Sequence, residues 1–312
     1  MTHRNPQEPT NHRLSGRSIG IALIAALAWP LGLTAQDGLS VYISADMEGV
    51  VGVVTSEQLG PSGFEYGRFR EFMTAEVNAA IDAAREAGAS RIVVSDSHGN
   101  GQNLLLERFA NDILVVRSWP RPLMMMQGID ESFDVAIFLG YHSSTTNTKG
   151  VRAHTMSSAN LTAVRLNGID VPEAGINAAI AGHFGVPVVM ISGDDAIIEE
   201  AQGLLGDIEG AVVKWSYGFH SALTMVPDAA YKLIGEKVAA GIRRRAEFTP
   251  YRLDGPIRVE VGFKNYRPVE LLGYLPGVDR LDSHTIGFTG RDMLEVSRFL
   301  EFITSYSPSL TP

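Results

Sequence analysis

With 312 residues, 45% of them hydrophobic and 20% charged, the chain can fill the core of one large domain or two modest ones, and it is too apolar for a disordered protein. A formal charge of −9, with no basic stripe interleaved with aromatics, argues against a nucleic-acid binder that works by phosphate neutralisation. There are no cysteines, so disulfides, lipoprotein anchoring and thiolate metal ligands are excluded and Asp, Glu and His remain as the strong ligands.

Residues 1–35 read as a signal peptide. A basic, polar start (Arg4, His12, Arg13, Arg17) precedes an apolar run over residues 19–33. That run is short for a membrane span, and Thr34-Ala35 suits cleavage before Gln36. Pro30 and the short run disfavour an uncleaved anchor. The expectation is an exported chain, in a bacterial periplasm or at the cell exterior, with no membrane span after signal cleavage.

Residues 39–45 form an apolar run suited to a buried strand, leading straight into Asp46-Met47-Glu48-Gly49. Residues 64–87 have helical periodicity (Phe69, Phe72, Met73, Val77, Ile81) and stop at Gly88, a favourable C-terminal cap. Short strands are predicted over 91–94, 113–116 and 135–139. The first precedes Ser95-Asp96-Ser97-His98-Gly99, and the third ends in Gly140-Tyr141-His142. A helix over 173–183, a strand over 188–192 and a helix over 196–205 continue the alternation. The expected fold is α/β, a mostly parallel sheet with helices on both faces. Beyond about Lys214 the texture changes. A helix over 227–245, a strand over 257–261, an extended stretch over 285–288 and a helix over 292–304 predict a smaller C-terminal α+β portion. The expected division is a signal peptide (1–35), an α/β metal-binding catalytic domain (36–213) and an α+β subdomain (214–312). Arg243-Arg244-Arg245 reads as a solvated helix face.

The chemistry gathers where open α/β sheets bind ligands, at the carboxyl ends of the strands. Asp46 and Glu48 stand two apart at one strand end, so their carboxylates project to the same side. His98 and His142 follow two other strands. Together they make an oxygen- and nitrogen-rich shell suited to zinc or a similar divalent ion, and a shared carboxylate lets two ions sit together. Taken singly, each has a plainer reading: Asp46 as a loop cap, Asp96 as an Asx-turn residue, His98 as a surface histidine, His142 as a packed corner. Their joint placement favours a site. His154 lies in a polar loop, and spacing alone favours a solvent-exposed residue. Glu173 follows Pro172 at a helix start, where the helix dipole alone accounts for a carboxylate. Met124-Met125-Met126 suits a core or interface more than a substrate entrance. Asp194 and Asp195 suit helix capping, or a contact supporting the site. His183, His220 and His284 stand apart from any ligand-like group.

Asp46-Met47-Glu48-Gly49, Asp96-Ser97-His98, Gly140-Tyr141-His142, His154 and Pro172-Glu173-Ala174-Gly175-Ile176-Asn177 together resemble the DppA-type D-aminopeptidases, a family of dinuclear zinc peptidases. The resemblance runs from about Val41 to the last helix, in the family's order and with similar spacing; residues 143–153 make that segment one residue longer than the family pattern. It implies two zinc ions per chain, with Asp46 bridging them and Glu48, His98, His142 and Glu173 completing the ligand set. It implies that His154 is the catalytic histidine. It further implies a metallopeptidase, an aminopeptidase or dipeptidase acting on short peptides, including those with D-amino acids, by a metal-activated hydroxide, and a homo-oligomer in a ring-like assembly. Two other readings stand beside it: a dinuclear hydrolase of another amide or ester bond, and a periplasmic solute-binding protein whose acidic-histidine cluster is incidental.

Overall fold

β1 (Leu39–Ala45) opens the computed structural model, which describes residues 38–307, so the signal-peptide expectation lies outside the described residues. Val41, Ile43 and Ala45 enter one apolar core and Tyr42 enters another. A strand buried on both faces distributes its side chains in this way. α1 (Tyr66–Glu86) buries Phe69, Met73, Val77, Ala80 and Ile81. Gly88, at φ +99°, ends it in the left-handed conformation that glycine adopts without strain. β2 (Ala89–Asp96), β3 (Leu114–Val116) and β4 (Val135–Tyr141) follow.

β5 (Leu161–Leu166) and β6 (Ile169–Asp170) come next, a hairpin that the sequence pattern did not predict. α2 (Glu173–His183), β7 (Val188–Asp194) and α3 (Asp195–Leu205) restore the expected alternation. A second unpredicted hairpin, β8 (Glu209–Gly218) and β9 (Ser221–Thr224), precedes α4 (Pro227–Arg243). The chain finishes with β10 (Ile257–Phe263), α5 (Tyr266–Leu272), β11 (Val278–Arg280), β12 (Thr285–Gly290) and α6 (Met293–Ser305).

The main sheet has the order β3-β2-β1-β4-β7-β8-β9 and is parallel throughout except for the β8–β9 pair. α1 and α4 supply one apolar core with one face of this sheet; α2, α3 and α6 supply the other. The second core also takes in the smaller antiparallel sheet, ordered β11-β12-β10-β5-β6. The described residues all fall in one compact unit. Residue 213 lies within β8, and the smaller sheet joins β5 from before that point to β10–β12 after it. Among the described residues no helix is long and apolar enough to cross a membrane.

The order of the main sheet fixes where a ligand can enter. From β1 the chain builds outward through β2 and β3, then returns to lay β4 on the other side of β1. This reversal opens a crevice at the carboxyl ends of β1 and β4, the usual ligand position in open α/β sheets.

Candidate metal centre

Asp46 leaves the end of β1, His98 lies two residues beyond β2, and His142 follows β4 directly. Glu173 is the first residue of α2, and His154 comes from the loop between β4 and β5. Two glycines let the strand ends close on one another. Gly49 N–H donates to the Gly140 carbonyl at 2.6 Å, and a Cβ at Gly49 would lie 2.1 Å from the Tyr141 oxygen. Gly140 sits at φ +68°, and its Cβ would lie 2.3 Å from the Asp46 oxygen. Only residues without a side chain fit either position.

The six candidate residues converge. Asp46 turns its two oxygens to different histidines: Oδ1 lies 3.2 Å from His98 Nδ1, and Oδ2 lies 3.2 Å from His142 Nε2. Glu48 Oε2 lies 2.8 Å from His98 Nδ1, and Glu173 Oε1 lies 3.5 Å from His142 Nε2. His154 Nε2 stands 4.0 Å from Glu48 and 3.9 Å from Glu173. Donor atoms of Asp46, Glu48 and His142 fall within 4.8 Å of one another, as do those of His142, His154 and Glu173. His154 therefore faces the cluster and is not the solvent-exposed loop residue that spacing alone favoured. Glu173 does not cap its own helix; its carboxylate turns to the histidines and accepts from Met156 N–H at 2.6 Å.

Each imidazole faces a main-chain carbonyl with one nitrogen and the carboxylates with the other. His98 Nε2 lies 2.7 Å from the Leu59 oxygen, His142 Nδ1 lies 3.2 Å from that of Ser143, and His154 Nδ1 lies 2.8 Å from that of Arg152. Placing the ring proton on the carbonyl-facing nitrogen leaves a lone pair aimed at carboxylate oxygens, an acceptor set against an acceptor. Asp46 Oδ2 and Glu48 Oε2 are buried and receive no hydrogen bond of acceptable geometry. Three buried carboxylates facing three imidazole lone pairs are costly unless positive charge sits among them. This donor set, fixed from behind by carbonyls, fits one or two divalent cations.

The electrostatics show how strongly these carboxylates favour positive charge among them. Burial raises the Asp46 carboxyl and Glu48 raises it further, despite both histidines. Burial would also raise Glu48, but His98 beside it holds it well below the usual range; Glu173 is lowered in the same way, chiefly by His142. For His98 and His142, burial opposes protonation, yet Glu48 and Asp46 on one side and Glu173 and Asp46 on the other carry both rings well above the ordinary imidazole value. His154 differs: burial and the neighbouring His142 lower it, and Glu48 and Glu173 do not compensate.

A cavity of about 680 Å³ opens over these residues, with Trp119, Met124, Met125 and Met156 among its apolar lining. Met124 and Met125 are thus both core residues and cavity wall, whereas Met126 is wholly core. Asp96 stays behind the site and accepts from Asn103 N–H and Leu104 N–H, while the Asn103 amide donates to the His98 carbonyl and steadies that loop. Asp194 caps α3. Among the buried charges that the sequence pattern did not single out are Glu76 and Lys214. The available signal for Lys214 was a lone lysine in the otherwise apolar run Ala211-Val212-Val213-Lys214-Trp215.

A buried Asp/Glu/His cluster at the switch point of a parallel sheet, opening into an apolar cavity, defines an α/β metal-dependent hydrolase. Residues 39–302 match the D-aminopeptidase family, and the chain belongs to it. A D-aminopeptidase of Bacillus subtilis (strain 168) is 31% identical over 271 residues, covering 85% of this chain and 97% of that protein. A solved structure described as zinc-dependent D-aminopeptidase DppA from Bacillus subtilis, a self-compartmentalizing protease, superposes with a TM-score of 0.82 at 29% identity. The match covers 86% of this chain and 100% of the other.

Proposed function

We propose that this family member is a zinc-dependent aminopeptidase or dipeptidase that hydrolyses short peptides carrying D-amino acids and works as a ring-like assembly of identical copies. The observation that carries the reading is the set of imidazole nitrogens aimed at buried carboxylates, each ring held from behind by a main-chain carbonyl. Membership of the D-aminopeptidase family supports the bond type, and the self-compartmentalizing relative supports the assembly. Export and cleavage before Gln36 belong to the same proposal, on the pattern of residues 1–35.

Asp46, Glu48, His98, His142 and Glu173 would hold the ions, with Asp46 shared between them. When bound, such a pair supplies Lewis acidity toward a carbonyl and makes water acidic enough to attack near neutral pH. His154 contributes at Nε2. Its Nδ1 proton is held by the Arg152 carbonyl, and its lowered basicity keeps Nε2 free to accept a proton and later return it to the departing amine. The Trp119, Met124, Met125 and Met156 wall excludes water and receives the apolar part of the substrate.

The test is elemental analysis of the purified protein beside Asp46→Ala, with turnover measured on matched D- and L-dipeptides. The expected result is about two zinc equivalents per chain, the number a two-metal hydrolase uses, lost in the variant together with D-peptide cleavage. A wild-type protein that cannot be loaded with zinc and leaves D-peptides intact overturns the reading.

A further inference from the structure

Asp194 and Lys214 are cross-strand partners in the β7–β8 pairing, and both side chains are buried. Each reaches a different loop of the candidate metal centre. The Lys214 ammonium, with no solvent exposure, donates to three carbonyls of the loop leaving β1: Glu48, Val50 at 3.1 Å and Val53 at 2.7 Å. An ammonium has three protons to donate, and all three are taken. On the same loop, Val51 N–H donates to Glu76 Oε1 at 2.9 Å. Asp194 Oδ1 accepts from Ile197 N–H at 2.9 Å and so caps α3, while Oδ2 accepts from Val151 N–H at 2.6 Å. Val151 lies three residues before His154, in the loop whose Arg152 carbonyl orients that ring.

We propose that Lys214 and Asp194 are positioning residues for this site, Lys214 fixing Glu48 through its backbone and Asp194 fixing His154 through Val151. Burying a lysine is costly unless its charge and all its donors are satisfied. Here the satisfied donors all converge on the one turn that presents Glu48. The two adjacent strand positions therefore set the separation between a metal-facing carboxylate and the proton-handling histidine. The inference rests on the metallopeptidase reading.

The test compares the full-length protein with Lys214→Met and Asp194→Asn. Zinc affinity is read by competition with a chromogenic chelator, kcat and KM on a short D-aminoacyl peptide at saturating zinc, and Tm as a control for folding. Lys214→Met should weaken zinc binding by about 10- to 100-fold, the range for groups that orient metal ligands. Asp194→Asn still caps α3 but turns a donor toward Val151 N–H. It should keep zinc affinity within about twofold and lose about tenfold or more in kcat, with KM unchanged. A merely structural role would move both quantities with Tm in both variants, and that result overturns the inference, as does wild-type behaviour of both. Should Lys214→Met fail to fold, Asp194→Asn decides by the same split between affinity and kcat. A wild type with neither zinc binding nor peptide turnover overturns the metallopeptidase reading and this inference together.

Discussion

The imidazole rings of His142 and His154 stack face to face, centroids 4.0 Å apart and planes inclined by 5°. Both rings turn Nε2 toward Glu173 Oε1, at 3.5 and 3.9 Å. The roles divide by environment. His142 also meets Asp46 Oδ2, so its Nε2 is committed to the carboxylate cluster, whereas His154 touches no carboxylate closer than 3.9 Å. Removing His154 should therefore spare the metal and lose the chemistry. His154→Ala should keep its full zinc content by elemental analysis while kcat falls by about 10²- to 10⁴-fold, the usual span for a general acid–base group, with little change in KM. Loss of zinc in parallel with activity would instead make His154 a ligand.

The same contact sets the pH profile. Burial first, and His142 second, lower the His154 pKa from its ordinary 6.5. The ring must be neutral to take a proton, so kcat/KM should hold through neutral pH and fall only as pH drops through a value below 6.5. In the residual activity of His154→Ala that acid limb should be absent. A limb that survives the substitution unchanged belongs to another group.

The periodic segments were legible because their burial follows the chain's own pattern. Residues 39–45 coincide with β1 and residues 173–183 with α2. Asp46, Glu48, His98 and His142 were legible for a related reason, since strand ends in a parallel sheet place their next residues at one edge. Spacing did not place His154 and Glu173, which only the family resemblance named, because their orientation depends on tertiary contacts: the Met156 N–H that turns Glu173 and the Arg152 carbonyl that turns His154. β5 and β6 were missed because Leu161–Leu166 is short and interrupted by exposed Thr162 and half-buried Arg165, β6 has only two residues, and the other partner of β5, β10, lies about a hundred residues away. Lys214 looks like any strand lysine until the three carbonyls it meets are known.

Gly140 is the point at which the sequence motif and the backbone demand coincide. A side chain there would have to adopt φ +68° with its Cβ 2.3 Å from the Asp46 oxygen. Gly140→Ala should lower unfolding free energy by about 1–3 kcal/mol from the backbone strain alone, with the clash adding to it. The β1 end must retreat to accommodate the methyl group, so zinc affinity should fall as well. Urea unfolding and chelator competition on one preparation read both; an unchanged midpoint and affinity would mean that the two strand ends do not need their close approach.

Glu76 offers a test of burial that is independent of catalysis. Burial raises its carboxyl from 4.5 to about 7, with the Val51 N–H and Lys214 only partly opposing. Its Oε2 is buried and receives no hydrogen bond. Between those two pH values the folded protein holds a proton on Glu76 that the unfolded chain releases, so this group's contribution to stability should fall as pH rises from about 4.5 to 7 and level off above. Gln at this position does not titrate. The stability of wild type relative to Glu76→Gln should therefore drop by up to about 3 kcal/mol across that window, because a tenfold difference in proton affinity between folded and unfolded chain is worth about 1.4 kcal/mol. Denaturant unfolding of both proteins from pH 5 to pH 8 gives the difference directly. A difference that grows with pH has the wrong sign, and would mean that Glu76 is ionised in the fold and paired with the Lys214 ammonium.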